Sequence, residues 1–201
     1  MATINLFGAS GHAKVIMDII TAQGDSTNCL FDDSPHCKQL NNKPVYKSTD
    51  YNIIGPIIIS IGSNRIRKEI SERYSVEYRT AIHPKAIISE SVIIGRGSVI
   101  MQGAIIQSDT RVGTHCIINS GASIDHECLI EDFVHVSPHA TLCGNVHVGE
   151  GAWIGAGAVI LPGITIGRWC TIGAGSVVIH DIPDGAIAYG NPCKVHSFNI
   201  L

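Results

Sequence analysis

From Ile88 onward every sixth residue is aliphatic: Ile88, Ile94, Ile100, Ile106, Val112, Ile118, Ile124, Ile130, Val136, Leu142, Val148, Ile154, Ile160, Ile166, Ile172 and Val178. The series runs through sixteen members without an insertion. Two residues before each member stands a small or β-branched side chain, as at Ala86, Ser98, Cys116, Ala122, Cys128, Cys170 and Ser176. A period of six matches neither the 3.6 of a helix nor the two of an ordinary strand. It predicts a solenoid in which each hexad forms one side of a triangular coil and three hexads close a turn. Sixteen hexads make about five coils, stacked at about 4.8 Å. The aliphatic residues point inward, and the cysteines at the small inward positions read as inert core thiols. Glycine often follows the aliphatic position (Gly95, Gly113, Gly149, Gly155, Gly167, Gly173) and is expected to supply the corner conformations.

Composition agrees with a narrow, strand-built interior. The chain has 33 isoleucines against 7 leucines and only 11 aromatic residues in 201. Isoleucine is stiff at χ1 and suits a strand, so a leucine-built helical bundle is excluded. With 45% apolar and 15% charged residues, disorder is excluded too. A net charge of −3 and no basic run offer nothing to nucleic acid or an acidic membrane. Seven cysteines without a Cys-x-x-Cys pair, and a start that enters a strand rather than a signal peptide, lead to an expected cytoplasmic location.

The first part of the chain reads differently. Residues 3–7 form a buried strand, Gly8-Ala9-Ser10-Gly11-His12 a tight turn, and Ala13 to Gln23 a helix. A second strand over 28–31 ends at Asp32-Asp33; a third apolar run, 56–61, leads into Gly62-Ser63-Asn64 and a charged helix. This order predicts a Rossmann-like α/β unit over 1–82, with the solenoid over 83–201. Three loops converge on the carboxyl edge of such a sheet, and one opens a helix N-terminus, where phosphate is favoured. A nucleotide-sized ligand is the expectation, with a solvated turn as the alternative for Asp32-Asp33.

Outward residues of the solenoid carry no packing duty, so chemistry is sought among them. Five histidines, His115, His126, His135, His139 and His147, fall there, but their spacing supports no metal cage. His126 is bracketed by Asp125 and Glu127, either of which would fix its tautomer as a general base requires. His135 lies nine residues on, half a coil away. If both serve one centre they must come from neighbouring subunits.

These residues resemble a known family. The ladder looks like that of the left-handed β-helix acyltransferases. With Gly8-Ala9-Ser10-Gly11-His12, Phe31-Asp32-Asp33, Ile61-Gly62-Ser63-Asn64, Ile66-Arg67-Lys68, Asn119, His126-Glu127, His135-Val136-Ser137, Gly144-Asn145 and Gly190-Asn191-Pro192-Cys193-Lys194, it is similar to bacterial nucleotide-aminosugar N-acetyltransferases of the UDP-bacillosamine, perosamine and dTDP-4-amino-4,6-dideoxyglucose type. The resemblance implies a left-handed β-helix, acetyl-CoA as co-substrate, no metal, and a homotrimer with sites between subunits. It implies His126 as general base, strengthened by Glu127. His135, Gly144, Ala156 and Ala174 would contact the coenzyme. Ser10, Gly11, His12, Asp32, Asp33, Gly62 and Asn119 would contact the nucleotide-linked amino sugar. Cys193 stands where the family has alanine. A sugar O-acetyltransferase of the sialic-acid type, a γ-type carbonic anhydrase and a non-catalytic nucleotide-sugar-binding protein remain as alternatives.

Overall fold

Ile88, Ile106, Ile124, Leu142, Ile160 and Val178 pair in one continuous parallel ladder, each 18 residues from the next. The structure, a computed structural model describing residues 1–199, therefore has the register that the aliphatic period predicts. It is a left-handed parallel β-helix preceded by an α/β unit. The ladder starts one rung earlier than the sequence series: Ala81–Ile82 already pairs with Val99–Ile100, two residues ahead of the expected boundary. Seventeen two-residue strands follow one another from Ala81–Ile82 to Val177–Val178. The rungs from Ile100 to Val178 are buried, as are the small residues between them, including Cys116, Cys128 and Cys170. Ile88 and Ile94, at the open end of the prism, are only partly covered. All seven cysteines are free thiols.

The corners differ from the expectation. Positive φ occurs at every sixth residue from Gly97 to Gly175, three positions after the rung rather than one. Half of these sites are not glycine: Asp109, His115, Glu127, Phe133, His139, Asn145 and Trp169 all have φ between 54° and 62°. The glycines that directly follow the rungs serve a different purpose. A Cβ on Gly155 would lie 2.5 Å from the Ile172 carbonyl oxygen, so these positions are small because the next coil passes over them.

In the N-terminal unit, β1 (Thr3–Phe7), β2 (Ser26–Asp32), β3 (Gln39–Leu40), β4 (Lys43–Lys47) and β5 (Ile57–Ile59) form one sheet in the order β3-β4-β2-β1-β5. All pairs are parallel except β3 with β4. The β3–β4 hairpin is an addition to the expected elements. Asn41 and Asn42, at φ 48° and 61°, make its turn. Helix α1 (Gly11–Ala22) lays Ala13, Ile16, Met17, Ile19 and Ile20 into a core completed by Ala81, Val99, Met101 and Ile117 of the solenoid. Helix α2 (Asn64–Arg73) follows β5. The unit thus docks on one of the three prism faces, the one carrying Val99, Ile117, His135, Trp153 and Thr171. No described helix is long and apolar enough to cross a membrane.

Candidate active site

Three loops at the carboxyl edge of the sheet are tied to one another. Gly8 N–H bonds the Phe31 carbonyl at 2.7 Å, and the Ser60 hydroxyl bonds the carbonyls of Phe7 and Gly8 at 3.0 and 2.7 Å. Gly8 has φ +111°, and a Cβ there would stand 2.9 Å from the Ser60 carbonyl oxygen; only glycine fits. Ser10 is the N-cap of α1 without a side-chain bond, and Gly11 has open space around it. This leaves first-turn N–H groups at a helix N-terminus, a setting that favours anions. His12, in the first turn, has a buried Nε2 with no partner. Burial, reinforced by the Arg67 cation, lowers its pKa to about 4.

The two aspartates have separate duties. Asp32 accepts the N–H groups of Ala9, at 2.9 Å, and Ser34, at 2.8 Å, so it braces the first loop. Asp33 is held by both Arg73, at 3.0 and 2.8 Å through its two oxygens, and Ser48. Hydrogen bonds from Ser48 and Arg73 hold its carboxyl below the usual range against the opposing effect of partial burial. Both carboxylates are thus held by partners within the α/β unit.

Asn119 and His135 lie on the docked face of the prism. Asn119 Oδ1 accepts the Ser120 N–H at 2.8 Å, which turns Nδ2 toward His135 Nε2 at 3.1 Å. His135 Nε2 is therefore the acceptor and its proton sits on Nδ1. Burial, then the positive charge of Arg67, lowers its pKa to about 3. Its ring stacks on Trp153 at 6.0 Å between centroids and 11° between planes. Trp153, Trp169 and His135 face Gly62, Ser63, Asn64 and Arg65 across a cavity of about 440 Å³. His12, Gly62, Asn119 and His135 thus gather where the two parts of the chain meet.

His126 and Glu127 are elsewhere, at the next corner but one. His126 Nδ1 is 3.0 Å from Glu127 Oε2, while Asp125 Oδ1 accepts the His126 backbone N–H at 2.8 Å. The structure decides between the two carboxylates: Glu127 orients the ring and Asp125 the backbone. Both side chains are more than half exposed. Gly144, one coil on, sits under the imidazole, and a Cβ there would come within 2.6 Å of Nε2. Asp125, His126, Cys143, Gly144, Asn145, Pro162 and Gly163 line a shallow recess to which the N-terminal unit contributes nothing. Ala156 and Ala174 are exposed at the third corner, one above the other. Within one chain, the residues expected to contact the coenzyme are therefore divided among two corners and a face.

Sequence reasoning gave no role to Arg67, Asn64 or the two tryptophans. Arg67 is 1% exposed in a helix that reads as charged and solvated. Arg67 entered the sequence reading only within the Ile66-Arg67-Lys68 motif of the resemblance, with no role of its own; its three-residue spacing from Asn64 puts both on one face of α2. Among the described residues no group of three or more His, Cys, Asp or Glu side chains is placed to hold a metal ion.

Residues 3–74 match the PglD N-terminal domain family, and residues 145–180 the bacterial transferase hexapeptide (six repeats) family. The chain is 43% identical over 112 residues to UDP-N-acetylbacillosamine N-acetyltransferase of Bacillus subtilis (strain 168), a match spanning 50% of this chain and 52% of that enzyme. Among solved structures it is similar to a variant of perosamine N-acetyltransferase from Caulobacter crescentus in complex with CoA and GDP-perosamine. That likeness has a TM-score of 0.91 and 33% identity, over 98% of this chain and 97% of the other. The acetyltransferase domain of PglB from Neisseria gonorrhoeae FA1090, in complex with acetyl coenzyme A, matches with a TM-score of 0.89 and 36% identity, over 96% of this chain and 98% of the domain.

Proposed function

We propose, for a chain that belongs to the hexapeptide-repeat sugar N-acetyltransferase family with a PglD-type N-terminal domain, direct transfer of an acetyl group from acetyl-CoA to the amine of a nucleotide-linked amino-deoxy sugar. The sugar expected is a 4-amino-4,6-dideoxyhexose. One observation carries the mechanism: Glu127 accepts from His126 Nδ1, so the neutral imidazole presents its lone pair at Nε2, on an exposed corner beside Gly144. Nε2 takes a proton as the amine nitrogen attacks the thioester carbonyl. The C–N bond forms, the C–S bond breaks, and the sulfur leaves as the thiol with the proton that His126 returns. The Gly144 N–H, which has no acceptor among the described residues, is the candidate donor to the tetrahedral oxyanion. No covalent enzyme intermediate is required, since the thioester is already activated.

In this reading the α1 N-terminus at Ser10, Gly11 and His12 receives the phosphates. Gly62 and Asn119 contact the sugar, and the Asp32–Asp33 edge shapes the nucleotide end. His135 and Ala156, Ala174 and Gly144 contact the coenzyme. These groups lie on separate sides of one prism, so the reading includes a homotrimer whose sites are completed between subunits. Exposed Ile87, Ile93 and Leu129, on the two faces flanking the His126 corner, suit a covered surface. A cytoplasmic location accords with the free thiols. The test is release of free thiol from acetyl-CoA with UDP-, dTDP- and GDP-linked 4-amino sugars as acceptors. Saturable turnover with at least one acceptor is expected, and background rates with all of them would sink the reading.

A further inference from the structure

The Arg67 side chain makes five hydrogen bonds and has no carboxylate partner among the described residues. Nε donates to the His115 carbonyl at 2.7 Å and NH2 to the Phe133 carbonyl at 2.8 Å and Asn64 Oδ1 at 2.9 Å. NH1 donates to the carbonyls of Ile61 and Gly62 at 3.0 and 3.2 Å. Asn64 continues the same contact, with Nδ2 reaching the carbonyls of Gly151 and Ala152 at 3.0 and 3.2 Å. His115, Phe133 and Gly151 are equivalent corner residues of three successive coils. Two side chains one helical turn apart on α2 therefore grip three coils at one corner. Arg67 also holds the Ile61–Asn64 loop, which lines the same cavity as His135.

We propose that Arg67, with Asn64, is a positioning residue for acyl transfer. Its planar fork sets the separation between the Ile61–Asn64 loop of the α/β unit and the His135–Asn119 pair of the prism. A lysine offers three donors on a flexible stem and cannot reproduce five bonds in one plane. The charge has a second effect. Burial is the first cause of the depressed pKa values of His12, His115 and His135, and Arg67 is the second cause at each. Arg67 and His12 are the charged or titratable groups that bear on His135. A neutral His135 keeps Nε2 as acceptor for Asn119 Nδ2, and protonation would set two donors against each other and break that bond.

The kinetic arm of the test rests on the acyl-transfer reading. In Arg67→Lys, Arg67→Met and Asn64→Ala, assayed well below their melting temperatures, KM for the amino-sugar nucleotide should rise about tenfold or more. kcat should fall by up to about a hundredfold, as expected for a displacement near 1 Å, and KM for acetyl-CoA, which His135 contacts in that reading, should rise as well. Variants that melt earlier but keep the wild-type constants would overturn the proposal. If Arg67→Met does not fold, Asn64→Ala, which retains the cation, carries the same comparison. An activity-independent readout separates this failure from failure of the reading itself. By imidazole NMR, His135 in the wild type should hold one tautomer from pH 8 to pH 5. In Arg67→Met, or in Asn64→Ala where the former does not fold, the His135 Nδ1–H signal should shift or split. An unchanged His135 signal overturns the proposal whether or not the wild type turns over any acceptor.

Discussion

Glu127 reaches the imidazole of its immediate neighbour His126 because Glu127 takes a left-handed backbone conformation, φ +58°. Consecutive residues of a strand point to opposite faces, so adjacency alone would separate the two side chains. The corner folds them together. Glutamate is unusual at such a φ, where asparagine, aspartate and glycine are favoured. The chemistry at this corner thus depends on a residue that the backbone alone would disfavour.

His126→Ala should lower kcat by about 10² to 10⁴, the range for loss of a general base, with the fold retained. Glu127→Gln should have a smaller effect, since it removes a carboxylate that orients an exposed ring rather than the base itself. Circular dichroism and steady-state kinetics of the two variants check both statements. A Glu127→Gln enzyme worse than His126→Ala would mean that the glutamate has a role of its own.

Gly144→Ala is a sharper probe of the same ring. Its Cβ would collide with the imidazole, and with nothing else nearer, at a position without positive φ. The ring is the end of a flexible side chain, so it should swing away at little cost in stability. Activity should then fall by about a hundredfold while the melting temperature stays near that of the wild type. Equal loss of both would show that Gly144 is needed for folding instead.

If each centre takes His126 from one subunit and His135 from the next, subunits carrying His126→Ala and subunits carrying His135→Ala should complement. Random mixing leaves about a quarter of interfaces with both histidines intact. Co-expression followed by purification of the mixed oligomer should therefore restore activity that neither parent has. An inactive mixture would place both residues' roles within one subunit.

Acid should destabilise the protein in a defined window. His12, His115 and His135 have folded-state pKa values of about 4, 4 and 3, below the unfolded value of 6.5. Between these limits the unfolded chain binds more protons, so stability rises with pH there and is lost as pH falls from about 6.5 toward 4. The limiting slope is about 1.4 kcal/mol per pH unit for each histidine. Urea unfolding from pH 7.5 to 4.5 should show the midpoint decreasing through this range. A flat midpoint would mean that these rings are hydrated or paired in the folded state.

Much of the fold was legible because the interior of the prism is narrow. One aliphatic side chain per side, at a fixed interval, leaves a trace that no insertion interrupts. The β3–β4 hairpin was missed although Asn41-Asn42 is a recognisable left-handed turn, since its strands are short and only Val45 among them is buried. At the candidate site, His126 and Glu127 stood out because they are neighbours in the chain. Arg67 did not, because its partners His115 and Phe133 lie 48 and 66 residues away and offer only backbone carbonyls, which every residue has.

The chain's order of residues determined by itself the coil length, the inward and outward faces, and the adjacency of an imidazole and a carboxylate. A period of six, however, makes the three sides of a prism equivalent. Only the tertiary structure broke that equivalence, when α1 packed on Val99, Met101 and Ile117 and Arg67 seized one corner. That docking put His12, Gly62, Asn119 and His135 together on one side and left His126 exposed on another. The choice depends on shape and hydrogen bonding between segments far apart in the chain, which periodicity does not record.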